Sequence, residues 1–213
     1  MPKLMKNKII LVLIHLILVF NSCSPKKTFD SQCIIAGDYG GLLLSKDDSS
    51  KIVSFVLQYE LANKDKCETL GIGRYNDFIN DSTLKVTLFT DLGELDTMKA
   101  TIFFGLEGIF YLKTKHFIPV CFRVVNTTDD VASFFFLEKK NNYGLFSCIY
   151  SEKSFLYKTT SEKAKTSMYL INGDIVEIIE TRTNWAKIKY LKNESIVYWI
   201  KKSDLLMYAN KFY

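Results

Sequence analysis

Arginine and histidine are scarce in this sequence, and each shortage narrows the chemistry that the chain supports. Three of the 213 residues are arginine, so nearly all positive charge is carried by lysine, which lacks the planar fork that clamps carboxylates and phosphates. The two histidines are His15, in an apolar run, and His116. A lone histidine beside apolar residues is typical of a surface or packed side chain, and no two cysteines have close ligand spacing. We therefore expect no histidine-based catalysis and no zinc site.

Basic and acidic residues are nearly equal in number once the three lysines before residue 9 are left out of the count. The sequence has 28 basic and 23 acidic residues, and three of the lysines precede residue 9, which leaves 25 basic residues against the 23 acidic ones. A nucleic-acid-binding protein needs a basic face dense enough to displace many counterions. We therefore exclude nucleic acid as a partner.

The motifs of phosphate and calcium sites do not occur. No Gly-Lys-Ser or Gly-Lys-Thr sequence follows the glycines at 37–41 and 71–73, so these glycines indicate turns or bulges rather than phosphate-binding loops. The acidic turn at 91–96 lacks the alternating ligands and the central glycine of a calcium loop. We expect no cofactor, no metal ion and no enzymatic activity.

What the sequence does contain is a distinctive start. Three lysines precede the apolar run 9–20, and Cys23 follows it after Asn21 and Ser22. As a helix this run reaches roughly 18 Å, short of a hydrocarbon layer of about 30 Å, which is typical of a secretory signal and not of a membrane span. The arrangement resembles a bacterial lipoprotein signal. The resemblance implies that 1–22 is removed and that Cys23 is acylated and anchors the protein in a membrane; an ordinary secretory signal cut nearby is the alternative.

Most of the remaining chain has the pattern of strands. Residues 23–32 are polar and predict a short tether, and the rest is long enough for one mid-sized and one small domain. Val53, Phe55 and Leu57 alternate with other residues, which predicts a strand with one buried face. Similar runs separated by turn residues occur at 83–90, 99–104, 109–114, 118–126, 133–138 and 145–150. We expect an all-β protein, in which 33–150 is an antiparallel β sandwich or barrel with little helix.

The last third of the chain has a different pattern. Its segments 155–157, 169–179, 184–190 and 198–205, rich in aromatic residues, resemble the bacterial SH3 domain in order and spacing. The resemblance implies that 151–213 is a small SH3-like barrel that binds peptidoglycan or another envelope component, or that braces its neighbour. Turn signals at Gly173-Asp174 and at 192–194 independently predict two hairpins.

Aromatic residues of this segment are the candidate ligand-binding residues. Alternation directs Ala186, Ile188 and Tyr190 toward the core, so Trp185 faces the other way and is at least partly exposed. Aromatic side chains offer large contact areas and dominate binding hot spots. We predict a ligand-binding set of Trp185, Tyr169, Tyr198 and Trp199; the alternative is that these residues fill and rim a small core.

Four cysteines remain after Cys23, and all four precede residue 151. An even number of cysteines in an oxidising compartment predicts two disulfides, and sequence alone leaves three connectivities open. The alternative is four buried thiols. The candidates are Cys33, Cys67, Cys121 and Cys148.

These features favour a non-catalytic binding protein of the bacterial cell envelope. It is expected outside the cytoplasm, held in a membrane by its lipid, with the SH3-like domain contacting peptidoglycan or an envelope protein. Two alternatives stay open: a carrier whose first domain holds a small apolar molecule among phenylalanines such as those at 103–104 and 134–136, and a wall-targeted hydrolase with paired carboxylates. A filled core with an exposed aromatic patch would favour the binding protein.

Overall fold

The computed structural model describes residues 34–60, 66–80, 82–90, 96–105, 108–114 and 131–209. The predicted signal and tether, the predicted strand at 118–126 and the side chain of Cys67 lie outside the described part, as do Cys23, Cys33, His116 and Cys121.

Within these ranges the protein is all-β, as predicted, and helical structure is limited to short 3₁₀ turns such as Tyr75–Asp77 and Glu162–Ala164. The described strands form two antiparallel sheets. The first sheet contains β1 (Gly37–Asp38), β2 (Leu42–Asp47), β3 (Ile52–Glu60), β4 (Lys66–Arg74), β5 (Phe78–Asn80), β6 (Thr83–Thr90), β7 (Asp96–Phe104), β8 (Ile109–Thr114), β9 (Val131–Phe136) and β10 (Lys139–Lys140). The second contains β11 (Leu145–Cys148), β12 (Lys153–Tyr157), β13 (Lys165–Ile171), β14 (Ile175–Arg182), β15 (Trp185–Tyr190) and β16 (Asn193–Lys201).

The first sheet is a meander that curls into a half-barrel. Its order is β10-β1-β2-β3-β4-β6-β7-β8-β9, with β5 paired to β6 at one end. The inner face of the curl is filled by apolar side chains from strands across the sheet. Phe55 of β3 lies directly opposite Gly71 of β4, and its ring occupies the space where a side chain on residue 71 would stand. The interior is therefore closely packed.

The outer face of the same sheet is also buried along β2 to β4. The alternation in β3 predicts one buried face, and Val53, Phe55 and Leu57 do lie in the inner core. The residues that alternate with them are buried as well, because Ile52 and Val56 pack in a second apolar cluster shared with the second sheet. A strand with both faces covered loses the polar alternation on which the expectation rested.

The second sheet has the order β11-β14-β15-β16-β12-β13. Its first strand, Leu145–Cys148, belongs by sequence position to the segment 33–150, yet it pairs with β14 throughout its length. The sheets therefore meet in the turn before Leu145, and Cys148 is buried in the cluster that both sheets share. A strand pattern encodes the strand and not its distant partner, which explains the difference from the predicted boundary at residue 150.

Of the two predicted hairpins of the last third, the one at 192–194 is present and the one at Gly173-Asp174 is not. The turn at Gly173-Asp174 connects strands that are not neighbours, since β13 pairs with β12 whereas β14 pairs with β11 and β15. A turn signal predicts a reversal of the chain and does not determine which strands pair. Gly173 adopts a φ of 88°, a left-handed conformation that glycine accepts readily, and the chain reverses there between β13 and β14. The second reversal comes at 191–192, where Tyr190 pairs with Asn193 across the turn. Among the described residues, none of the helical segments is long or apolar enough to pass through a bilayer.

Candidate functional site

One face of the second sheet, opposite its core, has a row of aromatic side chains. Strand register creates this row, because Phe155 stands opposite Tyr169, and Tyr157 stands opposite Trp199. Trp185, on the strand next to β16, has the same orientation as Trp199. We call these five residues, Phe155, Tyr157, Tyr169, Trp185 and Trp199, the aromatic face.

Trp185 occupies the end of the β14–β15 hairpin. The two strands are joined by a two-residue loop, Thr183-Asn184, and Arg182 pairs with Trp185 where the loop closes. The indole is half-buried, in agreement with the predicted partial exposure. Its ring meets the ring of Tyr157 edge to face, with centroids 4.8 Å apart and an interplanar angle of 76°. This contact holds the indole in a fixed orientation beside the solvent.

Trp199 and Tyr198 serve packing more than contact with solvent. Trp199 is only 7% exposed, and the guanidinium of Arg182 lies 4.8 Å from its ring centroid. Tyr198 alternates with Trp199 and therefore faces the other side of the sheet, where it stands opposite Ile188 and packs against the shared core. The structure thus separates Tyr198 from the other three predicted ligand-binding residues.

Tyr169 is the most exposed member of the aromatic face, at 48%. It lies on β13, the edge strand of the sheet, and its ring packs edge to face on Phe155 with 6.2 Å between centroids. The ammonium of Lys153 is 3.7 Å from the Tyr169 centroid, and that of Lys165 is 3.4 Å from the Phe155 centroid. Cations over ring faces stabilise such an arrangement.

A recess of about 350 Å³ lies beside Trp185. Its charged core is the carboxylate of Glu162, whose Oε1 is 2.7 Å from the Nζ of Lys201. The hydroxyl of Tyr157 donates a hydrogen bond to the other oxygen of Glu162 at 3.2 Å. The recess is lined by Glu162, Asn184, Trp185, Lys201, Lys202 and Ser203.

The pKa values of these three groups are displaced so that each keeps its neutral-pH charge. The hydrogen bond from Lys201 lowers the pKa of Glu162, and the same contact raises the pKa of Lys201. Burial, followed by the negative charge of Glu162, raises the pKa of Tyr157. At neutral pH Glu162 and Lys201 therefore carry opposite charges, and the Tyr157 hydroxyl is neutral and donates its proton to the hydrogen bond with Glu162.

Sequence reasoning did not select Tyr157, Glu162, Arg182 or Lys201. Tyr157 stands in the segment 155–157 that carries the family resemblance, but its contact with β16 joins residues far apart in the chain. Lys201 and Glu162 are surface charges by sequence, and only the fold brings them together. A search for aromatic residues two positions from one another along predicted strands would have found Phe155 with Tyr157.

Among the described residues, His, Cys, Asp and Glu side chains form no group of three or more that could hold a metal ion. The disulfide prediction stays a prediction, because Cys148 is the one candidate whose side chain lies in the described part. No family model matches the chain, and no curated protein is similar enough to it to count as a relative.

Proposed function

We propose that the protein is a non-catalytic binding protein of the bacterial cell envelope, which contacts peptidoglycan through the aromatic face of its second sheet. The observation that carries the proposal is the half-buried Trp185 beside a recess with charges of both signs. Peptidoglycan peptides have free carboxylates and amines next to sugar rings. An oriented indole with a lysine and a glutamate at its side offers a partner for each of these groups.

The packed interior of the first sheet supports a binding protein over a carrier. The largest fully buried side chains include Phe55, Leu57 and Leu112, which fill the inner face of the half-barrel. Phe103 and Phe104, which suggested an apolar interior, lie on opposite faces: Phe104 is in the inner core, and Phe103 is half-buried on the outer face. These phenylalanines therefore do not line one common cavity.

The compartment is part of the proposal. A lysine-rich start, a short apolar run and Cys23 support export and acylation, with the two sheets held close to a membrane outside the cytoplasm. Intact-mass analysis of the protein from its membrane fraction should show a product that begins at Cys23 and has an added acyl mass. The variant Cys23→Ser should leave the membrane fraction, and a full-length, unmodified product in the cytosol would contradict the proposal.

The binding test uses purified, protein-free peptidoglycan and the full chain in a pull-down. The variant Trp185→Ala should bind roughly tenfold more weakly, because a tryptophan at the centre of an interface contributes about 1–2 kcal/mol or more. Phe136→Ala is the matched control, since it removes an aromatic ring that is 61% exposed on the first sheet. Both variants should keep the circular dichroism spectrum of the parent.

Two results would overturn the peptidoglycan assignment. One is a pull-down in which Trp185→Ala and the parent bind equally. The other is equal weakening by Trp185→Ala and Phe136→Ala, which would indicate non-specific adsorption. If the parent fails to bind peptidoglycan, cross-linking in intact cells distinguishes an envelope protein as the partner, because a protein captured through the aromatic face should be lost with Trp185→Ala.

A further inference from the structure

The outer face of the first sheet is divided into a covered half and an open half. The covered half, on β3 and β4, presents apolar residues such as Val56, Leu70 and Ile72 to the second sheet. The open half, on β6 to β8, continues the same face with lysine and threonine side chains. It contains a groove of about 760 Å³ between β5 and β8.

Three lysines surround one threonine in this groove. Lys85 and Lys113 are the cross-strand neighbours of Thr101 on its two sides, so their Cα atoms are about 10 Å apart. Lys99 is two residues from Thr101 on the same strand and face, and its Nζ donates to the hydroxyl of Thr87 at 2.9 Å. Three lysines on neighbouring positions of one sheet face create a positive potential that attracts anions.

A neighbouring recess extends the positive surface. It has a volume of about 360 Å³, shares Lys85 and Lys99 with the groove, and adds Arg74. Asp77 is the acidic residue that lines this recess, whereas no described residue that lines the larger groove is acidic. The described residues that line the groove and the recess therefore carry a net positive charge.

An aromatic pair forms one side of the groove. Phe103 lines it directly, and the ring of Tyr111 is stacked on Phe103 with 4.3 Å between centroids and an interplanar angle of 9°. Because Phe103 pairs with Tyr111 across adjacent strands, the stack is fixed by the sheet itself. The groove thus combines a stacked aromatic pair, threonine hydroxyl groups and three lysine side chains.

We infer that this groove binds an acidic saccharide, with carboxylates on Lys85, Lys99 and Lys113 and a sugar ring against Phe103. A volume of about 760 Å³ holds several sugar rings and far exceeds one inorganic anion. Thr83 and Thr101 lie on the groove floor, where their hydroxyls suit sugar hydroxyl groups. The residues that line the groove include lysines and no arginine, and a lysine ammonium suits carboxylates that occur one at a time along a saccharide chain.

An acidic peptide and an anionic membrane fit the groove less well. The floor lies in the middle of the sheet, where backbone groups of β6 and β7 are engaged in the ladder, so an extended peptide finds no backbone partners there. A bilayer surface is broad and contacts a protruding basic surface best, whereas these lysines surround a recess. Both partners serve as competing outcomes in the test.

The test measures binding of a galacturonic acid hexamer to the full chain by isothermal titration calorimetry at low and high salt. The same hexamer with its carboxylates methyl-esterified is the neutral control, since it keeps the rings and removes the charge. Binding should be saturable, should weaken with salt, and should be lost with the ester. Each of Lys85→Gln, Lys99→Gln and Lys113→Gln should weaken it by roughly threefold to tenfold.

Matched variants separate the groove from bulk charge. Lys139→Gln with Lys140→Gln removes two exposed lysines of β10 and should leave binding unchanged. Phe103→Leu keeps an apolar side chain of similar size, removes the flat ring and should weaken binding. Trp185→Ala should have no effect, so this site and the aromatic face can fail independently.

The inference is overturned if binding of the acidic hexamer does not saturate, or if the ester binds as tightly as the acid. It is also overturned if the β10 double variant loses as much affinity for the hexamer as the groove variants do. Hexaglutamate and vesicles of equal phosphatidylcholine and phosphatidylglycerol complete the comparison. Tighter, lysine-dependent binding of either one, measured as the difference between the parent and the triple lysine variant, would assign the groove to an acidic peptide or to a membrane instead.

Discussion

The hydroxyl of Ser54 accepts a hydrogen bond from the backbone N–H of Phe146 at 2.8 Å, and this contact joins the two sheets in a place that no solvent reaches. A second contact supports it one strand away, where the hydroxyl of Ser45 donates to the carbonyl of Tyr143 at 2.9 Å. Apolar residues of both sheets surround these contacts in one cluster. The two sheets that carry the proposed binding surfaces therefore pack on one shared apolar core.

Replacing Ser54 by alanine should destabilise the whole described fold. The substitution leaves the N–H of Phe146 buried without its acceptor, and an unsatisfied buried donor costs about 1–3 kcal/mol. Urea unfolding should show a lower midpoint with an unchanged slope. Ser167→Ala, at an exposed position of β13, is the control and should shift the midpoint little. A midpoint for Ser54→Ala equal to that of the control would show that the contact contributes nothing.

The shared core also predicts that the two sheets unfold together. Both tryptophans of the chain lie in the second sheet, so tryptophan fluorescence reports on that sheet alone, whereas far-ultraviolet circular dichroism reports on both. Leu70→Ala creates a cavity in the first sheet's half of the core and should cost about 2–5 kcal/mol. The fluorescence midpoint should fall as much as the dichroism midpoint. If Leu70→Ala leaves the fluorescence midpoint unchanged, the two sheets unfold independently.

Sequence patterns located strands well because strand formation depends on neighbours. The runs 83–90 and 109–114 coincide with β6 and β8, where alternation and flanking turn residues agree. The all-β class follows from such runs and is confirmed. Long-range pairing could not be predicted in the same way, since Leu145–Cys148 gives no sign that it pairs with β14 thirty residues later.

The candidate site was only partly predictable for the same reason. Alternation along one strand gave the orientation of Trp185, which needs no knowledge of other strands. Tyr198 was grouped with Trp199 although adjacent strand residues face opposite sides, and its burial follows from that alternation. The contact of Tyr157 with Trp185 depends on the registers of β12 with β16 and of β15 with β16, which no local pattern contains, whereas Glu162 is only five residues from Tyr157 in the chain.

Gly71→Ala should test how tightly the inner core of the first sheet is packed. A methyl group on residue 71 would overlap the ring of Phe55, so one of the two strands must shift, at a cost of about 1–3 kcal/mol. Thermal unfolding measures the loss. The double variant Phe55→Leu with Gly71→Ala should lose less stability than the sum of the two single variants, because the smaller side chain makes room for the methyl group. Strict additivity would contradict the contact.

Tyr39 should make stability depend on alkaline pH. Its hydroxyl donates to the carbonyl of Ile35 at 2.6 Å, and burial raises its pKa from 10.0 to about 12. The folded protein therefore keeps this proton after the unfolded chain has lost it, so the stabilisation is complete below pH 10 and is lost as the pH rises toward 12. Tyr39→Phe should cost about 1–3 kcal/mol at neutral pH, since the carbonyl loses its donor.

The difference between the parent and Tyr39→Phe is the informative quantity, because the titration of surface lysines affects both proteins equally. Urea unfolding at several pH values from 8 to 11 should show this difference shrinking above pH 10, by up to about 1.4 kcal/mol for each pH unit. Tyr169→Phe, which removes an exposed hydroxyl, is the matched control and should run parallel to the parent. If the Tyr39→Phe curve also runs parallel to the parent through pH 11, the Tyr39 hydroxyl is not held in the neutral form by burial, and the packing assigned to this end of the half-barrel is wrong.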